Sequence, residues 1–372
     1  EGIDTVHSQV SFSLAGQFIE NLFLIGNADI NALGKSLDNI LYGNDGENEL
    51  RGGKGDDIYF VQTLGDRVID KAGEGDDWVY SAIDFSLSGQ YIERLSLVGD
   101  DDIDGSGNSL HNTLEGNAGV NVLRGYGGDD TYYVQTVGDR VIEADGAGID
   151  HVHSTVSFSL AGQYIENLTL EGDAEINATG NSLANVLTGN SARNILTGGR
   201  GNDTYHVQNA NDVTREFANE GLDRVFSSVG FSLAGQYIEE LYLIGTADGK
   251  ATGNSLNNVI AGNSGRNEIH GGAGYDRLAG GEGVDTFVWM STKDSVAGTS
   301  DRILDLEAHD VLDLSRIDAN VGRAGNQAFQ LVSSLNAATT DGAGRAVLRY
   351  DAAKDWTLLL LDSNLDGKAD SQ

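Results

Sequence analysis

Apolar residues in this chain come in short alternating tracts, each closed by glycine, asparagine or aspartate, and nowhere at helical spacing over a long run. Alternation of period two over a few residues predicts strands with one buried face, and the punctuation predicts tight turns between them. Short strands are therefore expected around Val79, Phe85, Leu95 and Ile103. The tracts repeat: FSLAGQ at Phe12 returns as FSLSGQ at Phe85, then at Phe158 and Phe231, always at a 73-residue interval. Gly34, Gly107, Gly180 and Gly253 keep that interval, as do Asp57, Asp130, Asp203 and Asp276. A fixed period of this kind predicts a stacked repeat architecture in place of a round core.

The clearest unit is Gly271 to Val288, GGAGYDRLAGGEGVDTFV, two nonapeptides of the form G-G-x-G-x-D-x-x-x. Glycines at the first, second and fourth places, among them Gly272, Gly274, Gly281 and Gly283, are expected to accept positive φ and turn the backbone carbonyls inward. Asp276 and Asp285 at the sixth place add carboxylates, and Leu278 and Phe287 at the eighth point into a core. Such an oxygen-rich turn suits a hard cation that takes six to eight oxygens, namely Ca²⁺.

The same nonapeptides run through one period as Gly34 to Tyr42, Gly43 to Arg51 and Gly52 to Phe60. Two nonapeptides make one coil, so the 73-residue period is close to four such coils with one extra residue. Up to Val288 this gives about 16 coils, which at the strand spacing of ~4.8 Å would stack to roughly 75 Å. Glu1 aligns with Glu74, so the natural protein is expected to continue upstream.

Composition sharpens this picture. The 372 residues include 51 glycines, no proline and three tryptophans, and 57 acidic against 23 basic residues give a net charge of −34. That balance disfavours nucleic acid and anionic membranes and favours cations. Cysteine is absent, so bound metal is the available source of extra stability. No run of about 18 apolar residues and no signal peptide is present.

The strongest candidate metal ligands are aspartates on one side of successive coils. Asp57 and Asp77 lie within GKGDD and GEGDD, with Gly53, Gly55, Gly73 and Gly75 shaping the turns. Asp130 with Asp150, and Asp203 with Asp223 beside Gly199 and Gly201, repeat the relation. Face to face at about 5 Å, such a pair is relieved by a shared cation; the competing reading is a solvated acidic edge. Asp276 and Asp285 have only Asn258 and Asn267 one coil earlier, so Asp301, Asp310 and Asp313 are candidates to complete their sites, against simple loop decoration. Asp66, Asp139 and Asp212 lack a preceding double glycine and read as turn caps. Steps such as Asn39-Ile40-Leu41, Asn112-Thr113-Leu114 and Asn185-Val186-Leu187 place an uncharged amide at the sixth position and read as structural. Asp362, Asn364, Asp366 and Asp370 match the first nine places of an EF-hand-like loop, against an ordinary Asp/Gly turn. His151 and His153 share a strand face without a third ligand, and neither H-E-x-x-H nor G-x-S-x-G occurs.

On these nonapeptides the chain resembles the RTX, or hemolysin-type, calcium-binding repeat proteins. The segment DRILDLEAHDVLDLSRID, Asp301 to Asp318, resembles the one that follows the β-roll in serralysin-type secreted metalloproteases. The resemblance implies a parallel all-β roll over residues 1–289, a β-rich cap with strands near Val347 to Tyr350 and Trp356 to Leu361 over 290–372, and Ca²⁺ between stacked turns. It implies export by type I secretion machinery and a secreted or cell-surface location. The function expected is Ca²⁺-triggered folding, secretion and scaffolding without catalysis. The alternatives are the non-catalytic tail of a secreted enzyme with its catalytic domain upstream, and the rod of a surface-layer or adhesive protein. Cell-surface polysaccharide is a further candidate partner, although no aromatic stripe is evident in the sequence.

Overall fold

The computed structural model describes all residues except 1, 297–298, 340–341 and 355; the alignment of Glu1 with Glu74 thus lies outside the described residues. The protein is an all-β parallel solenoid with no α-helix among the described residues, and it divides into two compact units, Glu1–Ile195 and Leu196–Gln372. Among the described residues, no helix is long and apolar enough to cross a membrane.

In the first unit, strands such as Ile58–Val61, Trp78–Ser81 and Arg94–Leu97 stack in parallel, one per coil. Their register fixes coil length. Ile58 pairs Trp78, Trp78 pairs Arg94, Arg94 pairs Thr113 and Thr113 pairs Thr131. The coils therefore differ in length, with sequence offsets of 20, 16, 19 and 18 in turn, the same steps that separate Asp57, Asp77, Glu93, Asn112 and Asp130. The extra residue of the period is not a single insertion into otherwise equal coils. It is the balance of two long turns and one short one. Alternation does the rest: Val79, Leu95, Leu114, Tyr132, Val152, Leu168 and Leu187 form one fully buried column.

Three of the four expected strands fall where the pattern puts them, at Trp78–Ser81, Phe85–Ser86 and Arg94–Leu97. The fourth lies at Gly105–Ser106, just past Ile103. On this second side of the coil the sheet is interrupted. Strands from Phe12–Ser13 to Arg67–Val68 form one four-stranded set, and a new set starts at Phe85–Ser86. The glutamines of two FSLxGQ motifs span this seam by accepting a backbone amide: Gln90 takes that of Asp70 at 3.2 Å, and Gln163 takes that of Glu143 at 3.3 Å.

The outer face of the first sheet carries an aromatic column that sequence reading missed. His7, Phe23, Tyr42, Phe60 and Tyr80 occupy consecutive coils, with ring centroids 5.3, 4.7, 3.8 and 4.9 Å apart. Side chains a whole coil apart in sequence become neighbours only once the register is known.

In the second unit, strands from Thr204–Val207 to Arg277–Ala279 and from Phe231–Ser232 to Thr286–Val288 stack in the same way. Stacking continues one coil beyond Val288, with Arg277 pairing Arg302 and Thr286 pairing Val311. An antiparallel pair, Arg345–Asp351 with Trp356–Asp362, follows, with its Ala346 and Leu361 clustered with Ile317. Removing residues from Ser291 onward should therefore bare both edges at Arg277–Ala279 and Thr286–Val288, since exposed parallel edges pair with other chains. Light scattering should show self-association and a calcium titration a higher midpoint; a monomer with an unchanged midpoint would refute this capping role.

Candidate metal centres in the turns

The turns that lead into the first sheet carry most of the acids, and Asp285 leads into the second. At the second and fourth places of a nonapeptide the backbone is left-handed, as at Gly272 (φ 99°) and Gly274 (φ 130°), and carbonyls of the preceding coil crowd where a Cβ would sit. The first-place glycines serve another purpose than positive φ. At Gly125 the space of a Cβ is taken by Asp130 Oδ2, the Tyr132 hydroxyl and Glu143 Oε1, and Gly198 is surrounded in the same way by Asp203, Tyr205 and Glu216. Gly75 likewise departs from the expected positive φ; it is glycine because the Gly55 carbonyl packs against it.

A ladder of hydrogen bonds links the sixth places. Asn39 N–H donates to Asp57 Oδ1 (2.7 Å), Asp57 N–H to Asp77 Oδ1 (2.8 Å), and Asp77 N–H to Glu93 Oε2 (2.9 Å). One period later Asn112, Asp130, Asp150 and Glu166 repeat it, and in the second unit Asp203 N–H donates to Asp223 and Asp223 N–H to Glu239. Each Asp spends one oxygen on the ladder. The other, Oδ2 of Asp57, Asp77, Asp130, Asp150, Asp223, Asp276 and Asp285, is buried with no hydrogen-bond partner. An asparagine at this place has no such orphan: Asn112 accepts the Asn108 amide and donates to Ile92 O, and Asn121 accepts from Asn117 and donates to Ile103 O.

Asp57 and Asp77 meet as paired in the sequence reading, but a third acid joins each pair. Asp57, Asp70 and Asp77 bring carboxylate oxygens within 4.8 Å of one another, as do Asp130, Glu143 and Asp150, and Asp203, Glu216 and Asp223; all nine are buried. Asp70, Glu143 and Glu216 stand outside the nonapeptide register, and two of them are Glu where the first is Asp, so only the 73-residue interval could have signalled them. A buried tyrosine serves each: Tyr59 donates to Asp70 at 2.6 Å, Tyr132 to Glu143, and Tyr205 to Glu216. No Lys, Arg or His forms an ion pair with the six triad acids of the first unit among the described residues.

Burial raises these carboxyls, against the pull of the ladder amides, and neighbouring acids add to the rise. Asp57, Asp77, Asp130 and Glu216 go up to about 8, Glu143 and Asp276 to about 7, and Asp150 and Asp223 to about 6. Orphaned, buried, oxygen-only donors with no counter-charge fit a hard cation such as Ca²⁺.

The remaining candidates divide. Asp301 Oδ1 accepts the Asp276 amide (3.1 Å) and Asp310 Oδ1 that of Asp285 (3.0 Å), so both extend the ladder. Asp305, not anticipated, takes the Gly280 and Gly281 amides, whereas Asp313 accepts from Ser315 in its own turn. Asp66 uses both oxygens, on the amides of Asn48, Gln62 and Thr63. In the EF-hand-like loop, Asp362 is bound by Arg345 (2.7 Å) and the Gly367 amide, Asp370 by the amides of Ser363 and Asn364, Asp366 by that of Lys368, and Asn364 by that of Asp366. Among the described residues, these loop acids are not in the clusters of three close enough to share an ion. His151 and His153 bond Thr169 and Glu171.

Comparison with known proteins agrees with this geometry. Residues 33–61, 106–135 and 179–213 match the RTX calcium-binding nonapeptide repeat (4 copies), and 243–372 match the Peptidase M10 serralysin C terminal family. The chain is an RTX repeat protein with a serralysin-type C-terminal region. RTX nonapeptide repeats bind calcium ions, and the matched stretches of this RTX chain contain Asp57, Asp130 and Asp203. A similar curated protein is an endo-1,3-1,4-beta-glycanase, ExsH, of Rhizobium meliloti, 37% identical over 89 residues, which is 22% of this chain and 19% of the enzyme. The match thus spans about a fifth of that relative.

Two outcomes follow for the metal centres. Asp130→Ala with Asp150→Ala should remove a discrete Ca²⁺ in native mass spectrometry, whereas Asn112→Ala with Asn121→Ala should lower stability and leave the metal count alone; equal loss would mean that the Asn turns also bind. Without metal, the folded state holds protons that the unfolded chain releases in the ordinary carboxylate range. Metal-free stability is then fullest in acid and is lost as pH rises through the folded values of about 6 to 8. Thermal melts in chelator should show Tm falling over that window; a Tm that rises instead contradicts the assignment.

Proposed function

We propose that this RTX chain is a calcium-triggered folding, secretion and scaffold module of a secreted protein, with residues 1–289 as the roll and 290–372 as its cap and secretion region. The observation that carries the reading is the series of buried, partnerless carboxylate oxygens at a fixed period. While these acids are ionised and without a counter-ion, burying them opposes folding; at low calcium the chain stays open, as passage through a type I secretion channel requires. Millimolar external Ca²⁺ then stabilises the folded state by mass action. The residues that would hold the ions are Asp57, Asp77, Asp130, Asp150, Asp203, Asp223, Asp276 and Asp285, with the backbone carbonyls of their turns supplying neutral oxygens. The absence of proline removes slow isomerisation from folding after export.

A second reading makes this module the tail of a secreted enzyme. The similarity to part of an endo-1,3-1,4-beta-glycanase favours it, with a polysaccharide as the substrate class of the parent protein. Both readings share the calcium step. Circular dichroism in chelator near neutral pH should show loss of β structure that a few millimolar CaCl₂ restores; a β spectrum unchanged by chelator would remove the basis for the proposal.

A further inference from the structure

The three buried triads are more acidic than a divalent ion can neutralise. In each, three carboxylates share one small volume, and the acids with orphaned oxygens there include Asp57, Asp77, Asp150 and Asp223 at 0 to 1% exposure and Glu216 at 6%. The oxygens converge over a glycine: a Cβ on Gly125 would strike Asp130 Oδ2, Tyr132 and Glu143, and one on Gly52 would strike Asp57 Oδ2 and Tyr59. The next group along the ladder is another acid each time, Glu93, Glu166 or Glu239. One Ca²⁺ against three ionised carboxylates leaves a buried negative charge, whereas a trivalent ion leaves none. An unpaired charge in a low-dielectric interior is strongly disfavoured.

The fourth period supplies an internal contrast. Trp289 and Leu278 stand one 73-residue interval after Glu216 and Tyr205. There the indole donates to Asp301 Oδ2 at 2.9 Å, so a neutral donor occupies the place where the other periods carry a third acid.

We propose that Asp70, Glu143 and Glu216 convert one turn in each of three periods into a three-carboxylate centre that holds a trivalent hard cation of the lanthanide class in preference to Ca²⁺. This rests on the calcium reading of the turns and adds to it an ion class and the residues that select it. Trivalent lanthanides share the preference of Ca²⁺ for oxygen ligands and have similar radii, so the third acid discriminates by charge. The other Asp turns, with two acids or fewer, follow Ca²⁺.

Tb³⁺ is the natural probe, because Tyr59, Tyr132 and Tyr205 lie beside the centres and can sensitise its emission. The full chain, folded in Ca²⁺, is titrated with Tb³⁺ and then challenged with Ca²⁺ in excess on the order of a hundredfold. Three Tb³⁺ should stay bound per chain, one for each triad. E143Q should lose one of the three, and Y132F should lose about a third of the emission without losing an ion. The combined D70N, E143Q and E216Q chain should lose all three while Ca²⁺ still folds it. Release of every Tb³⁺ at comparable Ca²⁺, or an E143Q chain that keeps three, would overturn the proposal. A combined variant that does not fold leaves the wild-type count and E143Q to decide. A chain that binds neither ion would instead refute the calcium reading itself.

Discussion

The structure depends on one constraint, the burial of carboxylates whose second oxygen meets no donor. A stacked coil must place something at the sixth position of each turn that hydrogen-bonds the coil before it. Aspartate does so by accepting a backbone amide of that coil, asparagine by donating its side-chain amide to a carbonyl there, and the difference lies in the atom left over. Asn112 spends its Oδ1 on the Asn108 amide of its own turn, while Asp130 keeps Oδ2 buried without a donor and close to other acids. The Asn turns therefore stand alone, and the Asp turns need a proton or a cation. The alternation of the two along each period divides the roll into parts with and without an electrostatic condition on folding.

That condition explains the composition. A solenoid of two- to four-residue strands buries modest apolar area per coil, a column of Leu, Val and Tyr on one side and a thinner one on the other. Nearest-neighbour stacking makes each coil as stable as its contacts with the next. Placing ion-dependent turns at a regular interval makes those contacts conditional along the repeat, and the coil beyond Val288 continues the device by offering Asp301 and Asp310 to the amides of Asp276 and Asp285.

Much of this was legible in the sequence, and the limits are physical. The nonapeptide, the 73-residue interval and the pairing of Asp57 with Asp77 can be read directly, because turn chemistry and period are local properties. The unequal coil lengths could not be, since a period constrains only their total. Asp70, Glu143 and Glu216 escaped because they sit in a longer turn where no nonapeptide place applies, and Asp57, Asp130 and Asp203, which they meet, come from the coil before. The aromatic column from His7 to Tyr80 was hidden for the same reason. Asp362 marks the other limit: its loop fits a calcium pattern residue by residue, and its ion pair with Arg345, distant in sequence, appears only in the structure.

The most direct measurement is amide hydrogen exchange of the turns themselves, followed by mass spectrometry on peptides covering 52–81 and 125–154, at about pH 8 with and without Ca²⁺. The account predicts strong protection of the Asp57, Asp77, Asp130 and Asp150 amides in Ca²⁺, where each donates to the next carboxylate, and exchange near the unfolded rate in chelator. Equal protection in both conditions would contradict it, because the buried acids would then be accommodated without any cation.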